Sequence, residues 1–242
     1  MGNEYSQNGE DQILEDIISR LNLEVKNMFV VDIGAYDGYQ YSNVIKLIEQ
    51  GCSGLLIEPC EYGGVCEPKF SELKNLPDKF ENVCVKKAAV VPEEFTDVIV
   101  EDLQSDILEC EKRCTETTDI TYTCNINEIL EQSNVPEDFD ILNIDTDRFD
   151  HEIWNNLEGY RPKIVIMETN SNLTGYVPPI EELQNGSWFT SADLDKVSEH
   201  TNMYGILSGT WSKDSSRWLA TKKGYVEMTY TGNIIYVRGD LL

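Results

Sequence analysis

The chain has 242 residues, 40% of them hydrophobic, and its 44 acidic and 19 basic side chains give a formal net charge of −25. This length and apolar content suffice for a full core, so we expect a single α/β domain over residues 1–242. The negative charge argues against docking on nucleic acid or anionic lipid, because both rely on clustered lysine and arginine. No apolar run approaches the roughly 18 residues of a membrane helix, so no membrane span is predicted.

The start of the chain and its cysteines bear on the compartment. The N-terminal stretch M-G-N-E-Y-S-Q-N-G-E-D-Q has neither the basic region nor the apolar core of a secretory signal. The seven cysteines are an odd number, which indicates free thiols in a reducing environment. We therefore predict a cytoplasmic protein.

The predicted elements alternate between helix and strand. In chain order they are a helix at 9–21, a strand at 28–33, a helix at 40–50, a strand at 54–57, a helix at 66–76, a strand at 82–91, a helix at 125–132, a strand at 138–144, a helix at 151–157, a strand at 163–167, a helix at 213–223 and a hairpin of 225–229 with 233–237. A further strand at 95–100, an acidic insert at 101–119 and a lid at 171–208 complete the interpretation. The alternation predicts a doubly wound, mostly parallel seven-stranded α/β sheet with an antiparallel C-terminal hairpin.

The first strand runs into a glycine turn, with the sequence F-V-V-D-I-G-A-Y-D-G over residues 29–38. Gly34 and Gly38 follow Asp32, and the second strand ends in Glu58. A glycine turn lets a ligand approach the backbone, the next helix start favours a negative group, and an acid after the second strand can accept hydrogen bonds from ribose hydroxyls. These features predict a site for a nucleoside with a charged tail. The spacing D-x-G-x-x-x-G differs from the dinucleotide fingerprint and from the triphosphate loop, and a tight strand-to-helix turn in another α/β protein is the alternative.

The fourth and fifth strands also end in polar residues. Asp145 follows the fourth strand, and Glu168 and Asn170 follow the fifth. Three oxygen ligands with open positions suit Mg²⁺ or Mn²⁺, which could lower the pKa of an acceptor hydroxyl. The alternative is that Asp145 acts without a metal, as a general base or on the cofactor amine. The sequence leaves both possibilities open.

His151 lies at the start of the helix that follows the fourth strand. It is a candidate base if its imidazole faces the pocket. The alternative is a solvated histidine at a helix start. Asp150 would then cap the same helix.

Several segments in this order resemble FkbM-type methyltransferases, a family of class I enzymes dependent on S-adenosyl-L-methionine. The matching segments are Y-S-Q-N-G-E-D-Q (5–12), F-V-V-D-I-G-A-Y-D-G (29–38) with Ser42 and Asn43 after it, L-L-I-E-P (55–59), D-I-L-N-I-D-T-D-R-F-D-H-E-I-W (140–154) and P-K-I-V-I-M-E-T-N (162–170). The resemblance implies a class I, Rossmann-like fold and O-methylation of a small-molecule or glycan acceptor with a free hydroxyl.

Carried over by position, the resemblance divides the candidate residues between cofactor and reaction. To the cofactor it assigns Gln7, Asp11, Asp32, Gly34, Gly38 and Glu58, and the other candidate cofactor residues are Ala35, Asp37, Asn43 and Ala88. Within that set Glu58 would hold the ribose, and the stretch with Gln7 and Asp11 would cover the cofactor. Asp145 and His151 are the catalytic candidates, and Asp145, Glu168 and Asn170 are the candidate ligands of Mg²⁺ or Mn²⁺.

One departure from the family bears on the acceptor. Many members read I-D-V-E-G where this chain reads I-D-T-D-R-F-D, so Arg148 stands in place of a glycine. The turn and the acceptor pocket are therefore expected to differ. Because a fold alone does not fix function, a non-catalytic module that binds the cofactor, a nucleoside or a partner is the rival interpretation.

Overall fold

The structure, a computed structural model, describes residues 5–59, 69–92, 123–146, 149–169 and 212–242. The predicted strand at 95–100, the acidic insert at 101–119 and the lid at 171–208 lie outside the described residues. The described part contains a seven-stranded central sheet with helices on both of its faces.

The described helices agree with the predicted ones in position but several are shorter. They are α1 (Glu10–Arg20), α2 (Ile45–Glu49), α3 (Phe70–Leu73), α4 (Ile126–Gln132), α5 (Asp150–Asn155) and α6 (Lys213–Lys223), with short 3₁₀ turns at Val25–Asn27, Leu76–Asp78 and Gly239–Leu241. The α2 helix starts late because Tyr41 adopts a φ of 62° and the Ser42 hydroxyl accepts hydrogen bonds from the Val44 and Ile45 amides. No helix within the described ranges is long and apolar enough to cross a membrane.

Seven strands form the central sheet. The described strands are β1 (Phe29–Ile33), β2 (Ser53–Ile57), β3 (Val83–Lys86), β4 (Ala89–Val90), β5 (Thr123–Cys124), β6 (Ile141–Ile144), β7 (Ile164–Glu168), β8 (Tyr225–Tyr230) and β9 (Asn233–Arg238). The order across the sheet is β3-β2-β1-β6-β7-β9-β8, and β9 runs antiparallel to both of its neighbours, β7 and β8. This arrangement confirms the predicted doubly wound, mostly parallel sheet with an antiparallel C-terminal hairpin.

The sheet forms because its strands are apolar on both sides. Val31 and Ile33 point to the face covered by α4, α5 and α6, while Val30 points to the face covered by α1 and α2. Such strands read as continuous apolar runs, as expected for a parallel sheet buried between helical layers. The alternation also means that Asp32 and Asn143 share the α1 and α2 face with Val30.

The predicted strand at 82–91 is two strands in the structure. β3 pairs with β2 in the main sheet, whereas β4 pairs with β5 in a separate two-stranded sheet. The single prediction was wrong because hydrophobic alternation does not reveal which partner a strand will have. The small sheet buries Ala89 and Val90 in the same core as α4.

Three cysteines lie in the described part of the chain. Cys52, Cys84 and Cys124 are free thiols, as predicted. Burial raises the pKa of Cys52 and of Cys124 to about 12, so both stay protonated at neutral pH. These two cysteines therefore act as small apolar core residues.

Candidate functional site

Four residues lie level at the carboxyl edge of the sheet. Ile33 lies beside Ile57 and Ile144 in the neighbouring strands, and Ile144 lies beside Met167. The residues one step further along these strands are, in spatial order, Glu58, Gly34, Asp145 and Glu168. With strands about 4.8 Å apart, Asp145 and Glu168 are neighbours and Glu58 lies two strands from Asp145. We call these four positions the edge row.

Asp32 lies two residues below the edge row, inside β1. Its side chain is 2% exposed, and its Oδ1 accepts a hydrogen bond of 2.7 Å from Asn143 Nδ2. Burial raises the pKa of the Asp32 carboxyl to about 7, the Asn143 hydrogen bond opposes this rise, and the negative charges of Asp145 and Glu58 add to it. Asp32 is therefore a buried acid that exchanges its proton near neutral pH.

Asn43 is linked to Asp32 through Asn143. Its Nδ2 donates a 3.0 Å hydrogen bond to Asn143 Oδ1, and both asparagine side chains are buried. The Asn43 Oδ1 atom is buried without a hydrogen-bond partner in the described part of the chain. Sequence reasoning missed Asn143, although a polar residue inside the apolar run I-L-N-I is a signal that could have identified it.

Glu58 is buried beside the glycine turn and already has protein partners. Its Oε2 accepts a 3.1 Å hydrogen bond from the Tyr36 amide, and Lys69 Nζ lies 3.7 Å from its Oε1. The same ammonium lies 5.0 Å from the centre of the Tyr36 ring. Tyr36 has a φ of 53°, which turns its amide toward the carboxylate. Glu58 is thus fixed in place at the edge row, with Lys69 partly balancing its charge.

The two glycines of the turn are required by the protein's own packing. At Gly34, where φ is 86°, a Cβ atom would lie 1.7 Å from the Asp145 carbonyl oxygen. At Gly38, where φ is 84°, it would lie 2.4 Å from the Leu76 side chain. Gly34 therefore lets the end of β1 approach the backbone that carries Asp145.

The remaining backbone of the turn is held by β2. The amides of Gly34 and Ala35 both donate 2.9 Å hydrogen bonds to the Ile57 carbonyl, and the Ala35 side chain is buried. Ala88, the predicted cofactor residue after β3, is buried in the core on the α4 side. These contacts give Ala35 and Ala88 structural roles in addition to the predicted binding role, which no observation tests.

Asp37 shapes the segment between the turn and α2. Its Oδ1 accepts hydrogen bonds from the amides of Tyr39 (2.8 Å) and Gln40 (2.7 Å). A carboxylate that accepts from amides two and three residues ahead stabilises a tight turn. Asp37 therefore fixes the turn that leads from the glycine turn to α2.

The segment before α1 is held by Asp11. The Asp11 carboxylate accepts hydrogen bonds from the Ser6 hydroxyl (2.8 Å) and the Tyr5 amide (3.3 Å). Gln7, between them, is exposed. The structure thus fixes the path of this segment through Asp11 and leaves the Gln7 side chain accessible.

Glu10 joins this segment to the C-terminal hairpin, a role that the sequence analysis missed. Its Oε1 accepts from the Thr231 hydroxyl (2.7 Å) and from Asn233 Nδ2 (3.5 Å), and its Oε2 accepts from the Asn8 amide (2.9 Å). Asn233 pairs with Glu168 across β7 and β9. The start of α1 is therefore fastened next to the Glu168 end of the edge row.

The metal prediction concerns Asp145, Glu168 and Asn170. Asn170 lies outside the described residues. Within the described ranges, no three His, Cys, Asp or Glu side chains are grouped as metal ligands. Asp145 and Glu168 supply two adjacent carboxylate positions, so the metal site remains a prediction.

The turn after Asp145 is fixed by Asp150. The Thr146 amide donates a 2.9 Å hydrogen bond to Asp150 Oδ1, and the Phe149 amide donates a 3.1 Å bond to the Thr146 hydroxyl. Asp150 is the first residue of α5 and its capping position is Phe149, so the expectation that Asp150 caps the helix was wrong. Arg148 lies outside the described residues.

His151 is buried between α5 and α6, with 1% of its surface exposed. The interpretation as a solvated histidine is therefore wrong. Burial lowers the pKa of its imidazole to about 4, the charges of Lys222 and Lys223 lower it further, and a hydrogen bond with the Ser215 backbone opposes them. An imidazole of such low pKa is a weak base, and its helix packs on the sheet face opposite to Asp32.

Solved structures of similar fold exist, whereas no protein-family model and no curated protein sequence matches the chain. A candidate caffeoyl-CoA O-methyltransferase from Staphylococcus aureus aligns with a TM-score of 0.44 at 14% identity, over 95% of this chain and 82% of that one. A candidate O-methyltransferase from Klebsiella pneumoniae aligns at 0.44 and 10%, over 98% and 83%. The mitomycin 7-O-methyltransferase MmcR aligns at 0.38 and 13%, over 94% and 56%.

The fold assignment depends on the strand order of the chain itself. An order of β3-β2-β1-β6-β7-β9-β8 with β9 reversed is the class I methyltransferase sheet. This is a class I methyltransferase fold. At identities of 10–14% and TM-scores of 0.38–0.44, these likenesses do not transfer an activity to this chain.

Proposed function

We propose that the chain is an S-adenosylmethionine-dependent O-methyltransferase of the FkbM type, acting on a hydroxyl group of a small molecule or glycan. The observation that carries this proposal is the edge row, in which Glu58, Asp145 and Glu168 lie level around Gly34. Ligands of doubly wound sheets bind at this edge. The sequence motifs that resemble the family supply the same residues.

The residues present fit the cofactor chemically. S-adenosylmethionine carries a positive sulfonium, a positive ammonium and two ribose hydroxyls, and carboxylates suit all of these groups. Glu58 would hold the ribose. Asp32 lies close enough to Asp145 and Glu58 for these carboxylates to act on it electrostatically. The unpartnered Asn43 Oδ1 would accept a hydrogen bond from a bound N–H donor.

The proposed chemistry is an in-line displacement. The cofactor supplies an electrophilic methyl carbon on a positively charged sulfur. Asp145 accepts the proton of the acceptor hydroxyl as the new oxygen–carbon bond forms and the sulfur–carbon bond breaks. The edge row orients the two partners, which is the main protein contribution to such a reaction.

A divalent metal is a finer part of the proposal. Asp145 and Glu168 would hold Mg²⁺ or Mn²⁺ together with Asn170, and the metal would acidify the acceptor hydroxyl. His151 has no part in either form of the mechanism, because it is buried against α6 and weakly basic. Because the protein carries a net charge of −25, we expect the acceptor to be neither nucleic acid nor membrane lipid.

Calorimetry of the EDTA-treated protein with S-adenosylhomocysteine tests the cofactor. We expect micromolar binding. Adding Mg²⁺ or Mn²⁺ should give a separate heat that is lost in Asp145→Asn if the metal is used. No binding with or without metal would contradict the proposal and favour a partner-binding module.

Methyl transfer from radiolabelled S-adenosylmethionine to a panel of sugars and phenols tests the reaction. Asp145→Asn should lower transfer by about 10²–10⁴-fold and leave S-adenosylhomocysteine binding intact, because a base acts in the transition state. Glu137→Gln, at an exposed loop position, is the matched control and should keep wild-type transfer. Equal activity of Asp145→Asn and wild type would remove Asp145 from catalysis.

A further inference from the structure

Three buried polar side chains form a line beneath the edge row. Asn43 precedes α2, Asn143 lies in β6 and Asp32 lies in β1, and each is at most 5% exposed. The two hydrogen bonds that join them are 3.0 and 2.7 Å long. We call this line the Asn43–Asn143–Asp32 chain.

In the Asn43–Asn143–Asp32 chain, each hydrogen-bond donor points toward Asp32. Asn43 Nδ2 donates to Asn143 Oδ1, and Asn143 Nδ2 donates to Asp32 Oδ1. Since the Asn143 oxygen is engaged by Asn43, a flipped Asn143 amide would face one donor with another and present its oxygen to a carboxylate. Asn43 therefore fixes the Asn143 amide, and Asn143 fixes the Asp32 carboxylate.

The surroundings of Asp32 make this hydrogen bond important. Burial is the main cause that disfavours the charged form of Asp32, and the negative charges of Asp145, after β6, and Glu58, after β2, add to it. Among the residues that the structure describes, Lys69 brings a positive charge to this group of acids, beside Glu58. In such a setting, the donor on Asn143 favours the charged form of the Asp32 carboxylate.

We propose that Asn43 and Asn143 are positioning residues that orient the Asp32 carboxylate for the positively charged methionine part of the cofactor. This inference rests on the proposed function. It adds a positioning role to the cofactor contact predicted for Asn43, because the Asn43 amide nitrogen is already bonded to Asn143. Asn143 acts through Asp32 and does not touch the cofactor.

The test compares a cationic ligand with a neutral one. S-adenosylmethionine carries two positive groups, whereas 5′-methylthioadenosine has the same nucleoside and no charge. Asn143→Leu keeps the size of the side chain and removes its donor, so it should weaken S-adenosylmethionine roughly tenfold or more and 5′-methylthioadenosine less than about twofold. Asn43→Ala should also weaken S-adenosylmethionine more than 5′-methylthioadenosine, but both losses should be smaller than those of Asn143→Leu. A role confined to folding would weaken both ligands alike.

The controls separate the possible failures. Asn127→Ala removes a half-buried asparagine on α4 that bonds to the Asn156 carbonyl and the Glu158 amide, and it should leave both affinities unchanged. Circular dichroism melts establish which variants fold. If Asn143→Leu does not fold, the comparison of the two ligands is made with Asn43→Ala. Equal losses for both ligands, or none, would overturn the inference while wild-type binding upholds the cofactor proposal. Absence of wild-type binding to either ligand would overturn both.

Discussion

A side chain at position 34 would collide with the backbone of the neighbouring strand. The Cβ of any other residue would lie 1.7 Å from the Asp145 carbonyl oxygen and 2.7 Å from its carbonyl carbon. A backbone carbonyl held in a parallel sheet cannot move aside as the end of a flexible side chain can. Glycine at position 34 therefore allows the end of β1 to lie directly beside the backbone of Asp145 in the edge row.

Gly34→Ala should lower the free energy of unfolding by more than about 2 kcal/mol, from the collision together with the positive φ. Gly159→Ala is the control, because its φ is 75° but a Cβ there meets nothing within 4 Å. The control should lose only about 1 kcal/mol, from the left-handed backbone alone. Urea unfolding measures both values, and equal losses would contradict the role of the Asp145 contact.

Asp32→Asn should stabilise the protein at alkaline pH. Between the ordinary Asp pKa near 4 and the folded pKa of about 7, the folded state binds more protons than the unfolded state, so stability falls as pH rises through that window. Asparagine removes this loss and should gain roughly 2–4 kcal/mol at pH 8, with the gain shrinking toward pH 4. Urea unfolding over this pH range measures the gain. Asp16→Asn, exposed on α1, is the control, and a gain independent of pH would contradict the prediction.

The sequence predicted the chemical types in the site better than their contacts. Glu58 and Asp145 follow short apolar runs, so their level placement follows from a parallel sheet. That Glu58 is held by the Tyr36 amide, or that Asn143 bonds to Asp32, depends on residues 22 and 111 positions apart in the chain. Such contacts are set by packing in three dimensions, which periodicity in one segment does not encode.

At the scale of elements, α1 is fastened to the C-terminal hairpin by one carboxylate. Glu10 is fully buried and accepts from Thr231, Asn233 and Asn8. Burial alone would raise the pKa of Glu10, but the hydrogen bonds from Thr231 and Asn8 outweigh it and hold the pKa below its ordinary value. The position of α1 over the sheet therefore depends on an ionised Glu10.

Glu10→Gln should destabilise the protein by about 1–2 kcal/mol at pH 7. Because the folded pKa of Glu10 is lowered, its contribution is present above the unfolded pKa near 4.3 and is lost as pH falls through the folded value. The difference from wild type should therefore vanish in acid, which thermal melts from pH 7 to about pH 3 measure. Glu15→Gln, on the same helix and paired with Lys46 at the surface, should change stability little. A deficit that persists in acid would contradict this account.

The strands were more predictable than the short helices. Each strand of the parallel core is a compact apolar run, and the predicted helix at 213–223 matches α6. The predicted helices at 40–50 and 66–76 were too long within the described residues, and at 40–50 the reason is that local hydrogen bonds compete with the helix. Asp37 and Ser42 stabilise turns before α2, and their side-chain geometry is not visible in a hydrophobic pattern.

At the scale of the whole molecule, the net charge of −25 imposes repulsion that the folded state concentrates. The edge row adds to it by bringing three carboxylates to one side of the sheet. Salt screens such repulsion, with a Debye length near 10 Å at 0.1 M. The stability of this chain should therefore depend on ionic strength.

Raising NaCl from about 20 to about 300 mM should raise the melting temperature by about 2–4 °C, since roughly 1 kcal/mol of repulsion is removed. KCl at equal ionic strength is the control and should act alike, because screening does not depend on ion identity. A melting temperature that stays constant or falls would show that charge repulsion contributes little to the stability of the folded protein.

The position of β9 governs when the sheet can be completed during synthesis. β9 lies between β7 and β8, although both of those strands precede it in the chain. The open edge of β7, made of the buried residues Ile164 to Met167, therefore has no partner until residues 233–238 leave the ribosome. Exposed apolar edges pair readily with other chains. Newly made copies of this protein therefore expose this apolar edge until β9 has been synthesised.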